Sequence, residues 1–179
     1  MNLDSVRRLL LPLAGALLIA CGSAGPSAAP ADASAALVGN GARGTIYLVR
    51  HGETEGEGSD PALSAEGRAR AQRLAEVLAS KSIERILSTD YHRTRETAAP
   101  LAALLGVDVE LYDPRALQEA AATLRREGGK VVVVGHSNTT PELVRLLGGD
   151  PGAPIGEREH DRLYRVDLPS GKTTLERYR

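Results

Sequence analysis

The sequence predicts one α/β domain with a three-layer αβα architecture, in which a mostly parallel central sheet is followed by a C-terminal antiparallel hairpin. Strand-like and helix-like segments alternate from residue 44 onward, as expected where helices connect parallel strands. The segment "KVVVV" at residues 130–134 is almost entirely β-branched, which is typical of a strand buried on both faces. Near the end of the chain, two strand-like segments flank a "PSGK" turn, which predicts the hairpin.

Local patterns define each element of this domain. In the first helix, apolar residues recur at helical spacing behind Ser64, which predicts an N-cap there. Gly106 predicts the end of the second helix, and Thr140 followed by Pro141 predicts the start of the fourth. The elements expected before the hairpin are strands at 45–49, 85–88, 107–111 and 130–134, with helices at 64–80, 91–105, 114–127 and from Thr140 to just before Gly148.

The first 43 residues have a different character. A basic start, "MNLDSVRR", precedes the apolar run "LLLPLAGALLIA", which is too short to span a bilayer and predicts a signal peptide at 1–20. Residues 21–43 are rich in Ala, Ser, Pro and Gly, which favours a flexible tether. The folded domain is then expected at 44–179.

The segment "LIAC" resembles the lipobox of bacterial lipoproteins, and Cys21 is the only cysteine in the chain. This resemblance implies that Cys21 is lipidated and that the domain stands on the periplasmic face of a bacterial membrane, held through the lipid anchor only. Gly22 is not the aspartate associated with inner-membrane retention, so the resemblance favours the outer membrane. The alternatives are an ordinary cleaved signal, with Cys21 incidental, and, less favoured, a cytoplasmic protein whose first helix is merely apolar.

Charge limits the classes of partner. The 22 basic and 23 acidic residues leave a net charge of −1, which argues against a nucleic-acid binder that relies on a basic surface. Nothing in the pattern predicts an oligomeric state.

Polar residues follow three of the predicted strands. Arg50 and His51 end the first, Arg93 lies in the helix after the second, and His136 follows "KVVVV". Because ligands bind at the carboxyl ends of the strands in such sheets, we expect these residues to form one anion site, with guanidinium groups suited to phosphate oxygens.

Two other histidines leave alternatives open. His92 and His160 are expected at the surface. A zinc site built from His51, His92 and His136 is a further possibility, but the chain has no short ligand spacing such as His-x-x-x-His.

Taken together, "LVRHGET", "STDYHRTRETA" and "VVVVGHSN" resemble the motifs of the histidine phosphatase superfamily, which includes the phosphoglycerate mutases. The resemblance implies that His51 is the nucleophile that takes up a phosphoryl group, that Arg50 and Arg93 clamp its oxygens, and that His136 donates a hydrogen bond to it. Gly52 would let the backbone approach the phosphate. No metal or other cofactor is expected.

The sequence offers several candidates for the acid that protonates the leaving alcohol. One branch of the superfamily carries an aspartate directly after the second histidine, but here Ser137 and Asn138 follow His136. Asp113, just past the third strand, is the best candidate by position. The alternatives are Glu53, Asp60 and Glu119.

The expected function is therefore metal-independent hydrolysis of a phosphomonoester through a phosphohistidine, on a small-molecule or glycan phosphoester of the cell envelope. A mutase is less favoured, because the stretch from Arg93 to His136 is short. A phosphohistidine phosphatase is an alternative that fits a missing acid. The rivals from other classes are a non-catalytic phosphate-binding envelope lipoprotein and a purely structural lipoprotein.

Overall fold

The computed structural model describes residues 41–179. The predicted signal peptide, Cys21 and nearly all of the predicted tether lie outside the described residues. Six strands form one sheet in the order β3-β2-β4-β1-β5-β6, in which the first four are mutually parallel and β5 and β6 are antiparallel to their neighbours. The strands are β1 (Gly44–Arg50), β2 (Arg85–Ser88), β3 (Val109–Leu111), β4 (Gly129–Gly135), β5 (Arg162–Leu168) and β6 (Lys172–Arg177).

Four helices cover the two faces of this sheet, and they are α1 (Ala65–Leu78), α2 (His92–Leu105), α3 (Leu117–Glu127) and α4 (Thr139–Leu146). Helices α1 and α2 pack on one face through Leu74 and Leu101, while α3 and α4 pack on the other through Leu124 and Leu143. The predicted three-layer αβα class, with its C-terminal hairpin, is confirmed. Within residues 41–179, no helix combines the length and the apolar composition needed to cross a membrane.

The side chains of the central strands alternate between the two cores. Ile46 and Leu48 of β1 belong to the core under α3 and α4, whereas Tyr47 and Val49 belong to the core under α1 and α2. Both faces of β1 and β4 are thus buried, which explains why these strands are nearly continuous apolar runs.

Two predicted helix starts are wrong. Helix α3 begins at Leu117, not at residue 114, because Asp113 and the residues after it form a turn in which Ala116 N–H donates to Asp113 O at 3.0 Å.

Helix α4 begins at Thr139, so Thr140 is not its N-cap. The Thr140 hydroxyl instead donates to the backbone carbonyl of Val49 at 3.1 Å. A long-range contact thus uses the group that local pattern assigned to capping.

Two residues of the predicted tether contact the folded domain. Ala42 N–H donates to the carbonyl of Arg125 at 3.1 Å, and Gly129 N–H donates to the carbonyl of Arg43 at 3.1 Å. These bonds attach residues 42 and 43 to the region between α3 and β4.

Candidate active site

The carboxyl ends of β1, β2 and β4 lie side by side. Arg50 pairs with Gly135 across the β1–β4 ladder, and Ser88 pairs with Val134 across the β2–β4 ladder. A cavity of about 460 Å³ opens at this edge. Its lining consists of His51, Tyr91, Arg93, Pro114, Arg115, His136, Ser137, Asn138 and Thr139. The structure thus brings His51, Arg93 and His136 to one cavity, although they are far apart in sequence.

His51 is held in one tautomer. Its Nδ1 lies 2.7 Å from the backbone carbonyl of Gly52, and a carbonyl can only accept, so Nδ1 carries the proton and donates. In the neutral ring, Nε2 therefore keeps its lone pair. Burial lowers the pKa of His51 to about 3, with smaller contributions from Arg50, His136 and Arg93 and an opposing one from the Gly52 carbonyl. The imidazole is thus neutral at pH 7 and available as a nucleophile.

The neighbouring glycine has a different role from the one expected. A Cβ on Gly52 would lie 2.9 Å from the carbonyl oxygen of Gly67 in α1, and a Cβ on Gly67 would lie 2.1 Å from the carbonyl oxygen of Glu53. Gly52 does not line the cavity. Close packing against α1, and not an approach to phosphate, explains why a glycine is needed here.

His136 faces His51 across the cavity, with ring centroids 5.4 Å apart. Its Nε2 lies 2.9 Å from Oγ1 of Thr89, and Tyr91 packs edge-on against its ring at 5.1 Å. Burial, followed by Arg93 and Arg50, lowers the pKa of His136 to about 4, while Asp60 opposes this shift.

Arg93 lies in the first turn of α2, above the ring of Tyr91. The guanidinium carbon is 4.4 Å from the ring centroid, a favourable position for a cation over an aromatic face. Its Nη1 donates to the carbonyl of Ser59 at 3.2 Å and to Asp60 at 3.3 Å. These contacts place one guanidinium group in the cavity lining.

Arg50 is oriented differently from the prediction. Its Nη1 donates to the carbonyls of Gly156, Glu157 and Glu159, at 3.0, 2.7 and 3.2 Å, and Arg50 is not among the lining residues. Its Nε atom is buried and has no hydrogen-bond partner within the described part of the chain. Because Nη1 is bonded to these three carbonyls, only the rest of this guanidinium can bind an anion.

Comparison with known proteins agrees with this arrangement. The sequence profile described as "Histidine phosphatase superfamily (branch 1)" matches residues 46–122. A protein of Escherichia fergusonii named "Probable phosphoglycerate mutase GpmB" is 31% identical over 144 residues, which cover 73% of this chain and 66% of the relative. The chain belongs to the histidine phosphatase superfamily.

Solved structures show the same fold. One is the structure of the protein histidine phosphatase SixA complexed with tungstate, with a TM-score of 0.59, 19% identity, and coverage of 74% of this chain and 94% of that chain. Another is a mycobacterial glucosyl-3-phosphoglycerate phosphatase with inorganic phosphate, with a TM-score of 0.58, 20% identity, and coverage of 76% and 97%. The chain spans about two thirds of the length of the curated relatives it matches.

None of the four candidate acids lines the cavity that holds His51. Asp113 faces the adjoining space and accepts from Nε and Nη2 of Arg115, both at 3.1 Å. Glu53 accepts from Nε of Arg70 through both carboxylate oxygens, at 2.8 and 2.9 Å.

The other two candidates also have different neighbours. Glu119 lines a separate cavity of about 350 Å³. Asp60 contacts the lining residue Arg93 and accepts from the backbone N–H of His92 at 2.9 Å.

The prediction for the remaining histidines is right for one and wrong for the other. His92 is exposed, but His160 is only 9% exposed, and its Nδ1 lies 2.8 Å from the backbone oxygen of His51. Local pattern could not reveal this contact, since the two residues are 109 positions apart. Across residues 41–179, no group of three or more His, Cys, Asp or Glu side chains could hold a metal ion.

Sequence reasoning also missed Thr89, Tyr91 and Arg115. Thr89 and Tyr91 lie within the "STDYHRTRETA" motif itself. Their place in the motif is a signal that they belong to the site, but charge alone points only to its basic residues. Arg115 lies in the turn before α3, in a segment that was predicted to be helical, and it lines the cavity beside Pro114.

Proposed function

We propose that this histidine phosphatase hydrolyses phosphomonoesters through a phosphohistidine formed on His51. The observation that carries the proposal is the hydrogen bond from His51 Nδ1 to the carbonyl of Gly52, at 2.7 Å. It leaves the Nε2 lone pair free in a cavity that His136 and Arg93 also line. A neutral nucleophile beside fixed positive charge is the arrangement that phosphoryl transfer requires.

The reaction has two displacements. Nε2 of His51 attacks phosphorus, the ester P–O bond breaks, and the leaving oxygen departs with the electron pair and takes a proton from solvent. Water then attacks the phosphohistidine, the P–N bond breaks, and orthophosphate leaves as His51 returns to its neutral form. Arg93, His136 and the free part of Arg50 stabilise the negative charge on the equatorial oxygens in both steps.

The nature of the leaving group follows from the cavity lining. Within the described part of the chain, the residues that line this cavity include neither Asp nor Glu. A general acid typically contributes a rate factor of about 10²–10⁴, so its absence favours leaving groups that depart without one. Aryl phosphates meet this condition, and rates should decrease steeply from 4-nitrophenyl to phenyl to alkyl phosphates.

The same observation supports a second candidate function, hydrolysis of phosphohistidine. An imidazole, with a conjugate-acid pKa near 6.5, is far less basic than an alkoxide and leaves readily once solvent has protonated it. The likeness in fold to the structure of protein histidine phosphatase SixA is compatible with this candidate. Release of phosphate from a phosphohistidine peptide faster than from any alkyl phosphate would favour it.

The proposed cellular setting rests on residues 1–43. The predicted signal peptide, the lipobox-like "LIAC" and the tether support an exported lipoprotein that acts on a small-molecule or glycan phosphoester of the envelope. Incorporation of labelled palmitate into the wild-type chain, and its loss in Cys21→Ser, is the expected result. Equal labelling, or none in either chain, would contradict the lipid anchor.

The decisive assay compares three full-length chains on 4-nitrophenyl phosphate with EDTA present. Wild type and His92→Asn, which changes an exposed histidine outside the cavity, are expected to turn over equally. His51→Asn is expected to have no turnover while it still binds tungstate. If a folded wild-type protein binds tungstate but turns over neither this ester nor a phosphohistidine peptide, a non-catalytic phosphate-binding role replaces the proposed one.

Two supporting assays address the acid and the mutase alternative. Asp113→Asn is expected to keep turnover within about twofold, because the Asp113 carboxylate lies outside the lining of this cavity and is bonded to Arg115. No transfer of phosphate between the hydroxyl groups of a phosphoglycerate is expected. A loss of about 10²-fold in Asp113→Asn would instead make Asp113 the general acid.

A further inference from the structure

A third histidine lies against the proposed nucleophile. His160 precedes β5 by two residues, and its Nδ1 is 2.8 Å from the backbone oxygen of His51. Since that oxygen can only accept, Nδ1 of His160 carries the proton and donates. The ring centroids of His51 and His160 are 5.7 Å apart and the rings are tilted by 54°.

The peptide group that accepts this bond is held from both sides. Its oxygen belongs to His51 and accepts from His160, while its N–H belongs to Gly52 and donates to Oγ1 of Thr97 at 3.0 Å. Glycine imposes little restriction on its own backbone. The two hydrogen bonds, one to the N–H and one to the oxygen, therefore fix the plane of the peptide that joins the nucleophile to Gly52.

That plane matters for the direction of the imidazole. Gly52 also supplies the carbonyl that accepts from Nδ1 of His51, at 2.7 Å. A rotation of the His51–Gly52 peptide changes the φ angle of Gly52 and so moves this acceptor relative to the ring, which changes where Nε2 points. A shift of about 1 Å in a reacting atom can cost about 10²-fold in rate.

His160 is itself rigidly placed. The hydroxyl of Tyr178, a residue only 3% exposed, donates to the carbonyl of His160 at 2.9 Å. The carboxylate of Glu159 accepts from the N–H of Gly156 at 2.7 Å and from Arg162 at 2.6 Å. The segment 156–160, which also binds Nη1 of Arg50 through three carbonyls, is thus tied to the C-terminal hairpin.

We propose that His160 is a positioning residue for the phosphoryl-transfer reaction: its hydrogen bond to the His51 carbonyl orients the nucleophile. The inference rests on the proposed function and deepens it. His160 acts through the backbone and does not contact the substrate. The loss of this bond is therefore expected to lower kcat while the binding of substrate changes little.

The test compares His160→Leu, which removes the donor, with His160→Asn, whose side-chain amide places an N–H close to the former Nδ1. His92→Leu makes the same chemical change at an exposed site and serves as the matched control. On 4-nitrophenyl phosphate, kcat is expected to fall about 30-fold in His160→Leu with KM within about threefold of wild type. His160→Asn is expected to recover most of kcat, and His92→Leu to match wild type.

Two results overturn the proposal. One is a kcat of His160→Leu within twofold of wild type, and the other is an equal loss in His160→Asn and His160→Leu. If His160→Leu does not fold, Thr97→Val removes the opposite bond to the same peptide. That variant is expected to show the same fall in kcat at constant KM, and an unchanged kcat in it overturns the proposal.

A measurement without turnover separates this proposal from the proposed function. In ¹⁵N NMR spectra of the wild-type chain at pH 7, the two ring nitrogens of His51 are expected to resonate far apart, as in a single neutral tautomer. In His160→Leu they are expected to move toward an averaged position, and unchanged separate resonances would overturn the proposal. If the wild-type chain is inert but these spectra behave as expected, the proposed function fails, while the effect of His160 on the orientation of the His51 ring stands.

Discussion

The Nε2 atom of His136 lies 2.9 Å from the Oγ1 atom of Thr89, and a third residue determines the direction of this bond. The Thr94 hydroxyl donates to the backbone oxygen of Thr89 at 2.8 Å, so it accepts from the Thr89 hydroxyl at 3.0 Å. With its only hydroxyl proton directed at Thr94, Thr89 accepts from His136. His136 therefore carries its proton on Nε2, and Nδ1 is the nitrogen left for a ligand.

The first prediction concerns Thr89. In Thr89→Val the hydrogen bond to His136 is lost, and kcat/KM is expected to fall about tenfold, because a bond of this kind is worth about 1–2 kcal/mol. Thr89→Ser keeps the hydroxyl and is expected to stay within about twofold of wild type. Steady-state kinetics, with thermal unfolding as a check on folding, make the comparison. Equal kcat/KM in wild type and Thr89→Val would mean that this bond does not orient His136.

The second prediction is that anion binding takes up a proton. With a pKa near 4, His136 is neutral at pH 7 in the free protein, and the bare Nδ1 would repel an anionic oxygen. A bound dianion favours the protonated ring, in which Nδ1 becomes a donor. Calorimetric titration with tungstate, in two buffers of different ionisation enthalpy, should therefore show uptake of about one proton near pH 7.

The matched variants for this titration are His136→Asn and His51→Asn. An asparagine donates without protonation, so His136→Asn is expected to bind tungstate with no proton uptake. His51→Asn is expected to keep the uptake of wild type. Proton uptake that persists in His136→Asn would assign the linked group elsewhere.

The third prediction concerns the pH dependence of stability. The pKa values of His51 and His136 fall from 6.5 to about 3 and about 4 on folding, so the unfolded chain binds more protons than the folded one between about pH 6.5 and pH 4. The free energy of unfolding should therefore decrease as the pH falls through this window. Urea unfolding at pH 7 and pH 4.5 measures the decrease.

A double variant, His51→Asn with His136→Asn, isolates the imidazoles from the carboxylates that titrate in both proteins. Because solvent screens the partly exposed rings, the expected extra loss of the wild-type chain relative to the double variant is on the order of 2 kcal/mol, about half of what the full pKa shifts would give. Equal losses would show that the two rings are not kept neutral by the fold.

The fourth prediction concerns the contact between α1 and the loop after β1. In Gly67→Ala the new Cβ would lie 2.1 Å from the backbone oxygen of Glu53, so the loop that follows His51 must move. The free energy of unfolding is expected to fall by about 2–3 kcal/mol, and kcat is expected to fall with it. Gln72→Ala, at an exposed position of the same helix, should change neither quantity. Wild-type stability in Gly67→Ala would contradict the close packing.

The helix starts show where local pattern is insufficient. Thr140 before Pro141 is a good capping sequence, yet its hydroxyl bonds to Val49 O in β1, 91 positions away. Residues 114–116 belong to the helix predicted at 114–127, yet the Asp113 carboxylate accepts from the N–H of Arg115 at 2.9 Å and holds a turn. In both places a hydrogen bond outside the predicted helix determines where the helix begins.

By itself, the sequence determined the αβα architecture and the three motifs that follow β1, β2 and β4. The spacing of apolar residues that distinguishes a strand from a helix is a local property of the sequence. The carboxyl ends of parallel strands meet at one edge of a sheet, whatever their separation along the chain. This is why His51, Arg93 and His136 could be assigned to one site before any contact was known.

Only the tertiary structure decided which nitrogen of each histidine carries the proton, where the guanidinium of Arg50 points, and that His160 is buried beside His51. The tautomer of His51 is fixed by its neighbour Gly52, but the other properties depend on single hydrogen bonds between residues 47 to 109 positions apart, such as those from His136 to Thr89 and from His160 to His51. A hydrogen bond requires its donor and acceptor to meet within about 3 Å. No pattern of neighbouring residues encodes such a meeting, because it depends on how the strands and loops pack.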